Sequence, residues 1–379
     1  MKYYLYIILI LGLNLSSSFA LPRFAVANGA SCIACHVNPT GSGMRNSHGN
    51  EIVALEELPL KRWMDKGDEN WDGNITDNLQ IGGDFRIQGI QYDDTDSTRK
   101  SAFFPMQADI YVNLKLNDNS SIFTKVGVKS SSSLNMEYWA MIQNLPLKSW
   151  LRMGRTLPNY GMRVDDHTSF IRGGNINKTK IGLNEENLSE SEGLLFEPHL
   201  VPPTILEIGI PLTKKLEWTN SFSTSLINDG QYEEMNNFTS KLTHVGSFGD
   251  VIKCRTSLSY MQEGDFNMMG TSGGISIGNY IWTFAFDQAE NWIGDATSIA
   301  MYNEIAWELM QGIQIIGKHD YFDPRTKWND GSISRYVIGF EIYPINIMEI
   351  KIQIRINEVD MDNVTQKDPE YLIQTHLYF

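Results

Sequence analysis

The stretch 346-NIMEIKIQIRI-356 keeps a strict period of two: Met348, Ile350, Ile352, Ile354 and Ile356 alternate with Glu349, Lys351, Gln353 and Arg355. Successive side chains of an extended strand point to opposite faces, so this segment has one oily face and one charged face. In 110-IYVNLKL-116 the aliphatics Ile110, Val112, Leu114 and Leu116 alternate with Tyr111, Asn113 and Lys115. In 79-LQIGGDFRI-87, Leu79, Ile81, Phe85 and Ile87 alternate with Gln80, Asp84 and Arg86. Similar runs lie near 204–210, 215–224, 251–262, 279–287, 311–318 and 334–342. Turn-rich pieces such as 117-NDNS-120, 212-LTKK-215 and 247-SFGD-250 separate some strands. Longer polar loops such as 92-YDDTDSTRKS-101, 225-SLINDGQYEEMNN-237 and 323-DPRTKWNDGS-332 separate others.

Short turns alternating with long loops, strands of roughly ten residues and inward polar side chains describe an all-β fold, a transmembrane antiparallel β-barrel. A soluble β-sandwich has amphipathic strands too, but it would bury the oily face and give the charged face to water. Two features favour the barrel. The 9 Trp, 16 Tyr and 17 Phe include strand-end residues such as Tyr280, Trp282 and Tyr343, which suit interfacial girdles. The chain also closes on 371-YLIQTHLYF-379, where Tyr371, Ile373, Leu377 and Phe379 share a face. That ending resembles the C-terminal strand by which bacterial outer-membrane barrels are recognised for assembly. Residues 79–379 have room for about 14 to 18 strands, and about 16 are expected because even numbers are preferred.

Charged residues make up 20% of the chain and mean hydropathy is -0.27, which excludes both compositional disorder and a helical membrane protein. Residues 1–20 join Lys2, an apolar run from Leu5 to Leu13 and small residues at Ser18 and Ala20, the pattern of a cleaved signal peptide with Leu21 as the mature start. The expected location is therefore the bacterial outer membrane, with its lipid as partner. Beyond residue 20 no run reaches the roughly 20 apolar residues of a spanning helix.

Residues 21–78 precede the barrel and carry 31-SCIACHVNPTGSGMRNSHG-49. Three cysteines in an exported chain, with Cys32, Cys35 and His36 spaced as C-x-x-C-H, match the attachment signature of c-type haem. Each thiol forms a thioether to a haem vinyl group, and the adjacent imidazole is set to bind iron as proximal ligand. One covalent haem c is expected. A redox disulfide would want a thioredoxin-like setting, and a zinc site would want a second ligand pair. Met44 and His48 are the alternatives for the distal iron ligand, lying one turn apart if 44–49 is helical. Cys254 reads as a solitary thiol.

Residues 50–78 read as one short helix, with Ile52, Val53, Leu55, Leu58, Trp63 and Met64 apolar and Pro59 interrupting, followed by a linker. Its apolar face is suited to cover the haem. Residues 155–172 form a long irregular loop in which Asp165, Asp166 and His167 either bind a metal ion or belong to a hydrogen-bonded loop folded into the lumen. Ser169 beside His167 and Asp166 invites a hydrolase reading that nothing else supports.

A cleaved signal, one C-x-x-C-H and a porin-like barrel together resemble the fused cytochrome-porins of the outer membrane, best known from iron-oxidising bacteria. The local resemblance is carried by Phe24, Ala25, Gly29, Cys32, Cys35 and His36, and departs at Val26 and Ala27, where a basic and an amide residue are common in that family. It implies electron transfer between a small extracellular donor or acceptor, Fe(II) among them, and a periplasmic c-type cytochrome or other carrier. An oxidoreductase of the outer-membrane cytochrome type is the enzymatic class left open. The net charge of -14 would concentrate cations near the acidic loops. No nucleic-acid partner is expected. The other functions in view are a diffusion porin with a haem-bearing plug and a docking barrel for periplasmic cytochromes.

Overall fold

The computed structural model describes residues 22–41, 43–60, 73–93, 99–128, 134–164, 168–174, 193–195, 201–227, 234–249, 251–292, 294–327, 331–361 and 364–379. The leader over 1–20, Trp63 and Met64, and the loop residues Asp165, Asp166 and His167 lie outside the described residues. The strands are β1 (Leu79–Asp93), β2 (Arg99–Asn117), β3 (Ser120–Val128), β4 (Leu134–Leu145), β5 (Ser149–Arg155), β6 (Thr204–Thr213), β7 (Leu216–Thr224) and β8 (Met235–Phe248). They continue as β9 (Ile252–Glu263), β10 (Phe266–Ile277), β11 (Tyr280–Glu290), β12 (Thr297–Met310), β13 (Ile313–Asp323), β14 (Ile333–Ile345), β15 (Met348–Met361) and β16 (Val364–Tyr378). Each pairs antiparallel with its neighbours in chain order, and β1 pairs with β16, so the 16 strands form a closed barrel. The seam is pinned at its end: Gly83 N donates to Phe379 O over 3.0 Å, Phe379 N returns a bond to Gly83 O over 3.1 Å, and the Phe85 and Phe379 rings stack at 6.1 Å.

Burial separates the barrel from the sandwich. On β15, Glu349, Lys351, Gln353 and Arg355 are buried, whereas Ile352, Ile354 and Ile356 are exposed at 45%, 48% and 42%. The charged face therefore lines the lumen and the oily face looks outward, as a bilayer-facing wall requires. Ile110, Leu258, Ile305 and Ile338 continue the oily exterior around the sheet. Inside, charges are paired, for example Lys125 with Glu137 at 2.9 Å, Arg86 with Asp84 at 2.9 Å and Lys351 with Glu349 at 3.4 Å. Pairing offsets the cost of removing these groups from water.

Most connections at one end are tight, such as Asn117 to Ser120 and Ile277 to Tyr280, while those at the other end include the long span from Arg155 to Thr204. The alternation has two exceptions, since β9 to β10 and β15 to β16 also turn tightly at the long-loop end. Tyr280 and Trp282 face outward, and Tyr280 stacks on Trp307 at 5.9 Å, in keeping with a girdle. Tyr343 does not. It shares parity with Arg335 and Glu341, so it points into the lumen, with its hydroxyl 3.0 Å from Glu349 and 3.2 Å from Glu341.

The lumen holds two insertions. Residues 22–60 enter from the tight-turn end as helix α1 (Pro22–Asn28), a 3-10 turn over Cys32–Ala34 and helix α2 (Gly49–Glu57), the last wound as a wider π-helix. Leu60 N donates to Tyr343 O over 3.0 Å, and the Gln311 amide donates to Glu56 O and Pro59 O over 2.8 and 3.0 Å. From the opposite end, the β5–β6 connection folds inward and buries Leu157, Tyr160, Met162, Phe170 and Ile171 against Met268, Tyr302 and Phe322.

Candidate functional site

The Cys32 to His36 segment is a compact turn. Cys35 N and His36 N both donate to Cys32 O, over 3.2 and 3.0 Å, which draws the two cysteines and the histidine together. Asn46 ties that turn to the start of helix α2, its side-chain amide donating to Ile33 O and Ala34 O over 3.1 Å each while its oxygen accepts from Gly49 N over 2.9 Å. The helix packs on the turn so closely that a Cβ at Gly49 would come within 2.2 Å of Cys35 O. All three cysteines are free thiols. Burial pushes the Cys35 thiol up to about 11, with Cys32 and Glu57 adding to the effect.

The segment is fastened to the wall by ion pairs. Arg23 on α1 meets Glu304 of β12 at 2.8 Å and also pairs with Glu341 of β14. Burial disfavours its charged form, but the Glu304 carboxylate, with Tyr343 and Glu349 adding to it, outweighs that and holds the guanidinium above its ordinary range. Arg152 of β5, fully buried, donates to Asn38 Oδ1 over 2.5 Å and to Glu207 of β6 over 2.6 Å. Asn38 Oδ1 also accepts from Thr40 N over 3.1 Å, an Asx turn that shapes the NPTG strap.

The inward loop is held with similar care. Glu207 accepts a bond from Asn159 N over 2.9 Å, Ser259 of β9 accepts from Gly161 N over 2.9 Å, and Tyr160 OH donates to Asp287 of β11 over 3.1 Å. Lys241 of β8 donates to Asn159 Oδ1 over 3.0 Å and also to Gly161 O.

Where the two insertions meet lies a small pocket, partly open to solvent. It is lined from the plug by Cys32, Cys35, His36, Thr40 and Gly41, and from the inward loop and barrel wall by Gly161, Met162, Arg163, Lys241 and Arg255. In a chain of net charge -14 this wall carries three cations, and Arg255 Nη2 sits 3.6 Å from Cys32 Sγ. Gly41, at φ +83°, lies against the same sulfur: a Cβ there would come within 3.1 Å of it. Two free thiols, an imidazole and cations able to face carboxylates are the donor types that a covalently tethered haem with its propionates would use. The zinc alternative fares worse, since among the described residues no three His, Cys, Asp or Glu side chains converge to hold an ion.

Met44 and His48 do not line this cavity. The helix expected over 44–49 is absent at its start, because Arg45 forms a bridge with His36 and Val37 N donates to Met44 O over 3.1 Å. Side chains alternate across such a bridge, so Met44 faces away from His36 and packs with Tyr111, Phe123, Trp139 and Trp150. His48 is exposed. Cys254 is half-buried on β9 and free, and Ser169 is buried with its hydroxyl 3.4 Å from Asp320. The sequence pattern did not single out Asn46, Arg152, Met162, Lys241 or Arg255. Only the period-two parity of Arg152, Lys241 and Arg255 on their strands marks them as lumen-facing.

No protein-family model matches the sequence, and no curated protein matches it. Among solved structures the chain is similar to an anion-selective porin from Comamonas acidovorans, at 7% identity and a TM-score of 0.54, over 79% of this chain and 99% of that one. It is also similar to the outer-membrane channel DcaP of Acinetobacter baumannii, at 10% identity and a TM-score of 0.52, over 79% and 97% of the two chains. Salmonella typhi OmpF in complex with daunomycin matches at 10% identity and a TM-score of 0.53, over 80% and 98%. The matched share corresponds in size to the barrel, and at this identity the likeness is one of fold: a porin-type barrel of 16 antiparallel strands.

Proposed function

We propose that this chain is an outer-membrane barrel of porin type whose lumen carries a haem-bearing plug made from its own N-terminal segment. The porin likeness and the oily exterior support the membrane setting, with lipid as the partner of the outward face. Of the functions weighed from the sequence, passage of small solutes is the one the porin-type fold favours. The single observation that carries the haem is the cavity, which gathers Cys32, Cys35 and His36 opposite three cations inside the barrel.

In this reading Cys32 and Cys35 would tether the haem and His36 would ligate its iron. A bound haem supplies one-electron redox chemistry. The protein's own part is to exclude bulk water with the inward loop, to orient the imidazole through the Cys32–His36 turn, and to balance the propionates with Arg163, Lys241 and Arg255. Electron exchange between a small extracellular couple such as Fe(II) and a periplasmic carrier rests on this motif and cavity alone.

Haem-stained gels of outer-membrane fractions test the tether: the unmodified chain stains, and Cys32→Ala with Cys35→Ala does not. Planar-bilayer recording separates the functions. Conductance that changes with haem redox state supports a gated porin. A closed barrel whose haem is rapidly oxidised or reduced by an external couple supports electron transfer. A chain that reaches the outer membrane without covalent haem overturns the haem half of the proposal.

A further inference from the structure

We infer that the pocket between the plug, the inward loop and the barrel wall is a binding site for a monatomic anion of halide size, held by Arg163, Lys241 and Arg255. The inference goes beyond the haem reading and does not need it. Elsewhere in the lumen cations sit against carboxylates, as Lys125 does with Glu137, Arg152 with Glu207 and Arg172 with Asp287. Arg163, Lys241 and Arg255 form no such ion pair among the described residues, and no Asp or Glu lines the pocket they share. In a chain of net charge -14, three cations without a counter-charge in ion-pair reach are thus gathered at one place.

Their present contacts leave donors over. Lys241 donates to two neutral oxygens, Asn159 Oδ1 and Gly161 O, and Arg255 Nη2 reaches the Cys32 sulfur at 3.6 Å. Arg255 is 5% exposed, yet its Nε is buried with no hydrogen-bond partner, as is Nη2 of Arg163. A buried guanidinium N–H without an acceptor is costly, and so is a buried charge without its opposite. Water would satisfy the first need; an anion satisfies both. The space is on the scale of water molecules, which admits a halide and is too small for sulfate or phosphate. Arg163 comes from the inward loop, Lys241 from β8 and Arg255 from β9, while Thr40 and Gly41 of the plug complete the lining. An ion bound there ties the loop to the wall beside the plug.

The test is thermal unfolding of the detergent-solubilised full chain while sodium chloride or bromide replaces sodium gluconate at constant ionic strength, with sodium sulfate as the large-anion control. A bound ion stabilises the folded chain saturably, whereas screening acts without saturation and for every anion. Chloride and bromide are expected to raise the unfolding temperature saturably and sulfate not to. Arg255→Gln and Arg163→Gln should each raise the half-saturating chloride concentration about tenfold or more, the effect of losing a hydrogen bond from a charged group. Lys215→Gln, on an exposed turn, should leave it unchanged. Where one arginine variant fails to give the folded-barrel band on unheated gels, the other decides. No saturable response, an equal response to sulfate, or a response unaltered by the arginine substitutions overturns the site. The Cys32→Ser, Cys35→Ser chain cannot carry covalent haem: a response kept there supports a site for free anions, and a response confined to the unmodified chain overturns it. Absence of haem from the unmodified chain removes the haem reading and leaves this site standing.

Discussion

Arg23 Nη1 lies 2.8 Å from Glu304 Oε1, inside the barrel and 281 positions away in the sequence. This pair, with the second contact to Glu341, clasps the first helix of the plug to the wall. Replacing Arg23 by Ala leaves Glu304 with Lys318 at 3.2 Å and Glu341 with Lys351 at 4.0 Å as remaining partners, so the loss falls on the plug more than on the wall. We expect Arg23→Ala to leave barrel assembly intact but to expose the N-terminal segment to protease and raise single-channel conductance, with Arg23→Lys intermediate. Unchanged proteolysis and conductance would count against the clasp.

Gly49→Ala addresses the contact between helix α2 and the Cys32–His36 turn. The added methyl meets a backbone carbonyl, which cannot swing aside as a long side chain does. Overpacking of this kind costs about 1 to 3 kcal/mol. The expected outcome is a looser N-terminal plug, read from faster protease cleavage of that segment, while the folded-barrel band on unheated gels persists.

Asn38 and Glu207 share Arg152 as partner, and Glu207 also holds Asn159 of the inward loop. The plug and the loop are thereby coupled through one guanidinium. A double-mutant cycle of Asn38→Ala and Glu207→Gln should be non-additive by about 0.5 to 3 kcal/mol in urea unfolding of the plug, the range for residues in one network. Additivity within error would mean that the two insertions are anchored independently.

On β15 the two faces should answer substitution differently. Ile354→Lys puts a charge on the outward face and is expected to cost about 2 to 4 kcal/mol if near the bilayer midplane. Neighbouring Gln353→Asn stays polar and inward and should be nearly neutral. Refolding into lipid vesicles, with subsequent denaturant titration, measures both. Equal costs would mean that Ile354 does not face lipid.

The barrel was legible because period two is a property of the strand itself: once Glu349, Lys351 and Arg355 share a parity, only the sign of the environment on each face remains to be found, and burial supplies it. The same rule, applied strictly to Tyr343, would have put it inside with Glu341; proximity to a strand end was the weaker guide. The C-x-x-C-H motif is read from spacing alone, to which the structure adds that Cys32, Cys35 and His36 share one compact turn. The helical turn expected from Met44 was not legible, because the Arg45 bridge to His36 gives the start of that segment an extended geometry.

The pairing of β1 with β16 has a consequence for biogenesis. The sheet cannot become a cylinder until its last strand docks beside its first, and the described residues 22–41 and 43–60 end up within the space it encloses. Like a ship within its bottle, the segment either is in place when the seam is sewn or passes through an open end afterwards.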